Sequence, residues 1–591
     1  MVDTASAPSA TGTSAREAVR SILAVDFGSV HTRAVLFDEV DGQFRLIARA
    51  QALTTAEPPI ADVSEGMGRA LGDIGELVGR NLYNPGQGVL RSERSDTNGV
   101  DLFVATASGG RPLRAVVVGL SPDVSLISGQ RALASTYIEV VDTVVYASAH
   151  SVEDNVNAIL SKNPDLIMVV GGTNFGATEP VIKMLNTIQL AVSLARGKQP
   201  AVLYAGNEAL RPLVSKMLSD KTSLFLTSNV RPGLDEEKLD AAELELALVY
   251  GEHMTLSVGG FADIQRASPM GLLATGQSYS NVIRYLGQLP GNAAGVVCVD
   301  VGGSTTMVCS AINRKSVIDI RTDLGLGYSA ITGMQAVGYD NVRRWLSFEA
   351  SDADLMDYAW NKSLRPSTVP QTGKDLEIEY ALARELIRLS GNASKSRWGV
   401  LVPFVDVLPP IKQIIGAGSV LAQTINPGIS ALLLLDALQP VDVVRIQLDP
   451  YGVIAALGTL AYMQPLATVQ VLENGGLLDV GTAICPTGKP PANGVAITAT
   501  INFPSGQSKT IEIMGGTVKA VSLPIGLKAQ VHLRMRGLRI NGKSNLTVQV
   551  DGGASGLIFD ARGRPFAPPT KFEDRLSALP AWYAGVRGET N

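Results

Sequence analysis

Cysteine, histidine and long apolar runs are all scarce in this chain, and each scarcity removes a class of function. The three cysteines, Cys298, Cys309 and Cys485, are odd in number and lack metal-ligand spacing. That excludes a disulfide framework and a thiolate metal cluster, and predicts buried thiols in a reducing compartment. Only four histidines are present, and His31 falls in a strand-like run where a structural role is expected. The richest apolar stretch, Ala431-Leu432-Leu433-Leu434-Leu435, is closed at once by Asp436 and is too short to span a bilayer. Met1 to Ala15 has neither a basic n-region nor a continuous apolar h-region, so residues 1–20 are expected to be a disordered tail. With a net charge of -5 and no basic stripe interleaved with aromatics, a general nucleic-acid surface is excluded. The reading is a soluble, cytoplasmic protein without membrane contact, whose partners are small molecules and proteins.

What the chain does have is a repeated phrase. Ala24-Val25-Asp26-Phe27-Gly28-Ser29 and Cys298-Val299-Asp300-Val301-Gly302-Gly303-Ser304-Thr305-Thr306 are apolar runs that end in Asp and turn through Gly and hydroxyl residues. An apolar strand carries such an Asp to its carboxyl end, where it can reach a divalent cation directly or through water. Glycine lets the backbone approach phosphate oxygens, and N–H groups with Ser or Thr hydroxyls supply donors. Taken alone, Asp-x-Gly is ordinary strand-to-turn punctuation. Two in the same order, followed by a third glycine turn at Ile414-Ile415-Gly416-Ala417-Gly418-Ser419, describe two turns gripping a Mg-nucleotide from opposite sides.

At 591 residues and 46% hydrophobic content the chain has material for three or four domains. Alternating runs at Arg33 to Phe37 and Phe44 to Ala48, joined by Asp41-Gly42, predict an edge hairpin. From Ala115 apolar strands alternate with helix-length segments such as Val152 to Lys162 and Pro180 to Arg196, the signature of a doubly wound parallel sheet. Its rim, Gly171-Gly172-Thr173-Asn174, Gly206-Asn207-Glu208 and Asn229, is where ligands collect in such sheets. Turn and cap chemistry explains those residues more simply. Ile454 to Ala461 reads as a small-residue helix where two lobes pack closely. After Pro465, short alternating runs predict an antiparallel barrel or sandwich, and Arg562 and Arg564 are read as surface residues. The expected fold class is α/β. Its segments are a first lobe over 21–114, an inserted Rossmann-like domain over 115–290, a second lobe over 291–464 and a C-terminal β-rich domain over 465–591.

The three glycine phrases look like the phosphate 1, phosphate 2 and adenosine elements of the actin, Hsp70 and sugar-kinase superfamily. With Thr54-Thr55, Asp62-Val63-Ser64-Glu65-Gly66, Ala107-Ser108-Gly109-Gly110, Asn229-Val230-Arg231-Pro232 and Asp560-Ala561-Arg562-Gly563-Arg564-Pro565, the chain resembles the glutamate mutase accessory family called MutL or GlmL, unrelated to the DNA-repair protein of that short name. The resemblance implies two actin-like, RNase H-like lobes, ATP and Mg2+ as cofactors, and an adenosylcobalamin-dependent mutase as protein partner. It implies that Asp26 and Asp300 orient magnesium, that Gly28, Ser29, Gly302, Gly303, Ser304 and Thr305 contact phosphates, and that Gly416 and Gly418 lie against the adenosine. The family phrase usually continues to an Asp where this chain has Met307, which separates nucleotide binding from hydrolysis. No general base is nominated. Lower-ligand cobalamin binding needs an Asp two residues before a His, and Ser29, Ser148, Gly251 and Gln530 stand there instead. The expected function is an ATP-dependent, chaperone-like accessory protein that remodels a mutase. The alternatives are a small-molecule kinase and a nucleotide-gated scaffold.

Overall fold

Seven consecutive buried residues form the strand β1 (Ser21–Phe27), apolar but for Ser21 and Asp26, as a strand can be when both faces of its sheet are covered. The computed structural model describes residues 19–92, 98–146, 151–176, 178–398 and 407–588, so the expected N-terminal tail lies almost wholly outside the described residues. Strands β2 (His31–Val40) and β3 (Gln43–Leu53) follow as an antiparallel meander. Asp41 and Gly42 supply the two positive φ angles their turn requires. After helix α1 (Val63–Val78), β4 (Leu102–Ala107) lies parallel to β1.

The chain then leaves this sheet for another. β5 (Leu113–Gly119), β6 (Ile138–Val145), β7 (Leu166–Val169), β8 (Ala201–Tyr204) and β9 (Leu224–Leu226) form an all-parallel sheet in the order β9-β8-β7-β5-β6. This is a doubly wound arrangement, with its order reversing between β5 and β7. Helix α2 (Asp240–Ser257) leads back to β10 (Leu272–Ala274), which pairs with β4 rather than with the inserted sheet. Sheet membership thus returns to the first lobe before residue 290. Helix α3 (Thr275–Gln288) then crosses to the second lobe.

The second lobe repeats the first. β11 (Val296–Val301), β12 (Thr306–Ile312) and β13 (Lys315–Arg321) form the meander. After helix α4 (Gly373–Lys395), β14 (Gln413–Ala417) lies parallel to β11; after helix α5 (Pro427–Leu438), β15 (Asp442–Leu448) lies parallel to β14. Both lobes therefore share the order third, second, first, fourth, fifth, and in both the fifth strand feeds a helix: α3 in the first lobe and α6 (Val453–Leu460) in the second.

Beyond Pro465 the sheet does not stop. β16 (Leu478–Cys485) continues it, followed later in the chain by β17 (Val495–Asn502), β18 (Ser508–Met514), β19 (Val518–Val521), β20 (Lys528–Met535), β21 (Asn545–Asp551) and β22 (Gly556–Asp560). Strands β16, β22 and β19 extend the second lobe to eight strands, while β18-β17-β20-β21 form a separate antiparallel sheet. The two sheets pack face to face through Ile497, Val531 and Leu533 against Ile484 and Phe559, so the segment is a sandwich on the lobe and not a closed barrel.

Arg562 and Arg564 depart from the surface reading. Each side chain is only 1% exposed. Arg562 grips Asp560 at 2.9 Å and Asp436 of α5 at 2.7 Å, and Arg384 of α4 reaches Asp436 at 2.8 Å. Phe566 and Trp582, the latter on helix α7 (Phe572–Arg587), face the Arg562 guanidinium at 4.2 and 4.8 Å. The alternating Asp and Arg of the sequence thus ties the C-terminal segment to the lobe. The cysteines are buried and free as expected. Burial pushes the Cys309 and Cys485 thiols up to about 12.

A second ionic latch joins the inserted segment to the second lobe. Arg397 contacts Glu243 of α2 at 2.9 Å and Asp319 of β13 at 3.0 Å. Burial pushes the Glu243 carboxyl up to about 7 although Arg397 opposes the shift. A carboxyl with a raised folded pKa binds its proton more tightly when folded, so its contribution is complete below the unfolded value of about 4.3 and is lost as pH rises through about 7. Glu243→Gln is expected to flatten the fall in stability between pH 5 and 8, read from urea midpoints. An unchanged pH slope would remove Glu243 from the account.

Candidate functional site

The two strand-end aspartates are built by the same local geometry. The Gly28 N–H donates to the His31 carbonyl at 3.0 Å, and the Gly302 N–H donates to the Thr305 carbonyl at 2.8 Å. The same three-residue spacing closes both turns. Each turn is backed by a glycine that follows the fourth strand of its lobe. A Cβ on Gly109 would lie 2.4 Å from the Gly28 carbonyl oxygen, and one on Gly418 would lie 2.2 Å from that of Val301 and 2.7 Å from Asp300 Oδ1. Gly418 also has φ +86, so it is glycine for both space and conformation.

Asp26 is buried and held by hydroxyls: Thr106 and Thr275 donate to Oδ1 at 2.8 and 2.7 Å. Its other oxygen lies 3.9 Å from Arg33. From the first lobe, Arg33 also reaches Ser419 Oγ at 3.5 Å and packs beside Gly452, so it spans the junction of the lobes. Burial pushes the Asp300 carboxyl up to about 6; Arg33 and a hydrogen bond from Tyr279 oppose this, while Asp26 and Asp449 reinforce it. Asp449, at the end of β15, accepts from the Val453 and Ile454 N–H groups at 2.9 and 3.0 Å and so caps α6. Three strand-end carboxylates thus share one electrostatic neighbourhood, into which Arg33 reaches.

The phosphate turns themselves meet. A Cβ on Gly303 would touch Val30 and lie 3.2 Å from Ser29 Oγ. Gly28, Ser29, Gly302, Gly303, Ser304 and Thr305 are all partly exposed on these turns. Gly416 is placed elsewhere. It is a buried residue of β14, and a side chain there would press on Leu434 and Leu448 in the lobe core. Of the two glycines expected at the adenosine, only Gly418 adjoins the aspartates. Met307 pairs with Asp300 across the β11–β12 ladder, is 2% exposed, and has its sulfur close to Gly276 of α3. An acid at 307 would share the sheet face of Asp300.

Sequence reading missed Arg33, Asp449, Thr106 and Thr275. Asp449 carries only a weaker form of the signal, a strand ending in Asp, because Arg445 and Gln447 interrupt the apolar run from Val443 to Leu448 and no Asp-x-Gly turn follows. The threonines carry none, because their role depends on strands far apart in sequence. The inserted sheet's rim is internally satisfied: Asn229 donates to the Gly172 carbonyl at 2.8 Å and to Asn174 at 2.9 Å, and Asn207 caps Ala209. Turn chemistry accounts for these residues.

Behind the aspartates α3 and α6 cross at unusually close range. A Cβ on Gly458 would lie 1.9 Å from the Ser278 carbonyl oxygen, and Asn281 donates to the Gly458 carbonyl at 3.1 Å. Gly458→Ala must separate the helices and is expected to cost about 1–3 kcal/mol in urea unfolding. A change below about 0.5 kcal/mol would contradict the close crossing.

Among solved structures, the chain is similar to the nucleotide-free structure of an acetone carboxylase of ATP-dependent mechanism, at 10% identity over 97% of this chain and 85% of that one, with a TM-score of 0.31. It is similar to nucleotide-free diol dehydratase-reactivating factor at 11% identity over 77% and 100%, TM-score 0.28. Ligand-bound xylulose kinase from Lactobacillus acidophilus gives 10% identity over 78% and 93%, TM-score 0.29. No curated protein matches the sequence. The family described as MutL protein matches residues 22–475, a span that takes in both aspartate turns, the inserted sheet and the crossing helices, and this chain belongs to that family.

Proposed function

We propose that the chain binds a Mg-nucleotide between its two lobes and uses the resulting change in lobe angle to act on a protein partner, an adenosylcobalamin-dependent mutase. The observation that carries this reading is the duplication: two identically closed Asp-x-Gly turns, one per lobe, placed against each other with Arg33 between them. In the reading, Gly28, Ser29, Gly302, Gly303, Ser304 and Thr305 offer donors to phosphate oxygens, and Arg33 supplies the positive charge. Gly418 and Ser419 lie on the adenosine side, with Gly416 supporting them from the core.

Among the described residues no group of three or more His, Cys, Asp or Glu side chains is arranged to hold a metal by itself. Asp26 and Asp300 therefore suit an ion that keeps most of its waters and takes phosphate oxygens as ligands, which is the habit of magnesium. Bound there, magnesium would neutralise charge on the phosphates. It would also relieve the crowding of Asp26, Asp300 and Asp449. Met307 leaves Asp300 without a neighbouring acid on its strand pair, so the reading expects binding to outpace turnover.

Lobe closure has a path to a partner. The α3–α6 crossing is the hinge, and Arg397 with the Ile320 N–H to Ala134 carbonyl bond, 2.7 Å long, couples the inserted segment to the second lobe. Mixed with an inactivated mutase from the same genome and free cofactor, the protein is expected to restore turnover only with Mg-ATP. Equal recovery without nucleotide, or none with it, would sink the partner assignment while leaving nucleotide binding to be judged separately.

A further inference from the structure

We propose that a cavity of about 500 Å³ behind the hinge is a second small-molecule site, for an organic anion bearing a phosphate or carboxylate group on a short apolar body. It lies between the last turns of α3 and the β12–β13 hairpin, and its charged lining residues are Arg284 and Arg314 with no acid among the rest. Its volume is in the range of pockets that enclose small ligands.

Three observations make it more than a surface dip. Arg284 is steadied by a 2.8 Å bond from Nη2 to Asn281 Oδ1, and neither arginine forms an ion pair with a carboxylate among the described residues. Arg314 occupies the second place of a two-residue turn, after Asn313, with φ 64. That place ordinarily takes glycine, and non-glycine residues held at positive φ concentrate at functional sites. The lining also includes apolar side chains, Leu289, Pro290 and Ala311, while Gln288 and Ser316 add polar groups. Planar guanidinium forks match carboxylate or phosphate oxygens, and the apolar side chains favour a ligand with carbon attached to that group over a bare ion.

The test is ligand-observed NMR on the full chain with phenyl phosphate, benzoate and inorganic phosphate. Phenyl phosphate or benzoate is expected to bind more tightly than inorganic phosphate. Arg284→Gln/Arg314→Gln is expected to weaken that binding at least about tenfold, with an unchanged circular dichroism spectrum and melting temperature. Arg33→Gln, in the aspartate cleft, is expected to leave it intact. Failure of both organic probes to bind overturns the proposal. So does binding that the double substitution spares or that Arg33→Gln abolishes.

Discussion

Asp560→Ala is expected to destabilise the protein by about 3–5 kcal/mol, the cost of leaving buried charge without its partner. Asp560 is fully buried and accepts two hydrogen bonds at 2.9 Å from Arg562. It also pairs with Arg564, which in turn donates to the Leu435 carbonyl at 3.3 Å. Removing the carboxylate strands the Arg564 guanidinium, and Asp436 alone then faces both Arg562 and Arg384. Burial by itself would raise the Asp560 carboxyl, but the two arginines hold it well below the usual carboxylate range. Its contribution is therefore complete above the unfolded value of about 3.9 and is lost as pH falls below that. Urea unfolding at pH 7 reads the loss. A change below about 1 kcal/mol would mean that this end of the chain is solvated and the network absent. Replacing the whole set with packed apolar residues is expected to be far milder, because no charge is left stranded.

The same residues mark where sequence reading fails. Asp560-Ala561-Arg562-Gly563-Arg564 is a charged string, and charged strings are ordinarily solvated. Nothing local announces that α4, α5 and α7 close over it, because Arg384, Asp436 and Trp582 come from distant segments. The α/β lobes were legible for the opposite reason. β1 and β11 are short apolar runs stopped by Asp and Gly, and Asp41-Gly42 fixes a two-residue turn, so each signal sits within a few residues. The Ile454 to Ala461 stretch foretold the helix crossing through Gly458, since only a glycine tolerates the Ser278 carbonyl at that range. Segment limits were less legible. β10 is three residues long and returns to the first sheet with no change in composition, and β16 continues the second lobe past Pro465 because a parallel partner, β22, arrives some 70 residues later. Within the site, the aspartates were readable and the groups that hold them were not: Thr106 and Thr275 meet at Asp26 only through tertiary pairing, and Gly416 looked like a cleft glycine although its strand turns it toward Leu434.

Loss of nucleotide binding is the other large effect. Asp300→Asn removes a charge that burial beside Asp26 and Asp449 disfavours, so the stability of the free protein is expected to hold or rise. Asp26→Asn keeps the shape that Thr106 and Thr275 recognise. Both substitutions strip charge from the place proposed for magnesium, so they separate a folding defect from a binding defect. Calorimetric titration of Mg-ATP into the parent and the Asp26→Asn/Asp300→Asn variant tests the central claim most directly. Saturable binding by the parent, weakened at least about 100-fold in a variant that melts no lower, is the predicted result; no binding by the parent, or equal binding by the two, would contradict it.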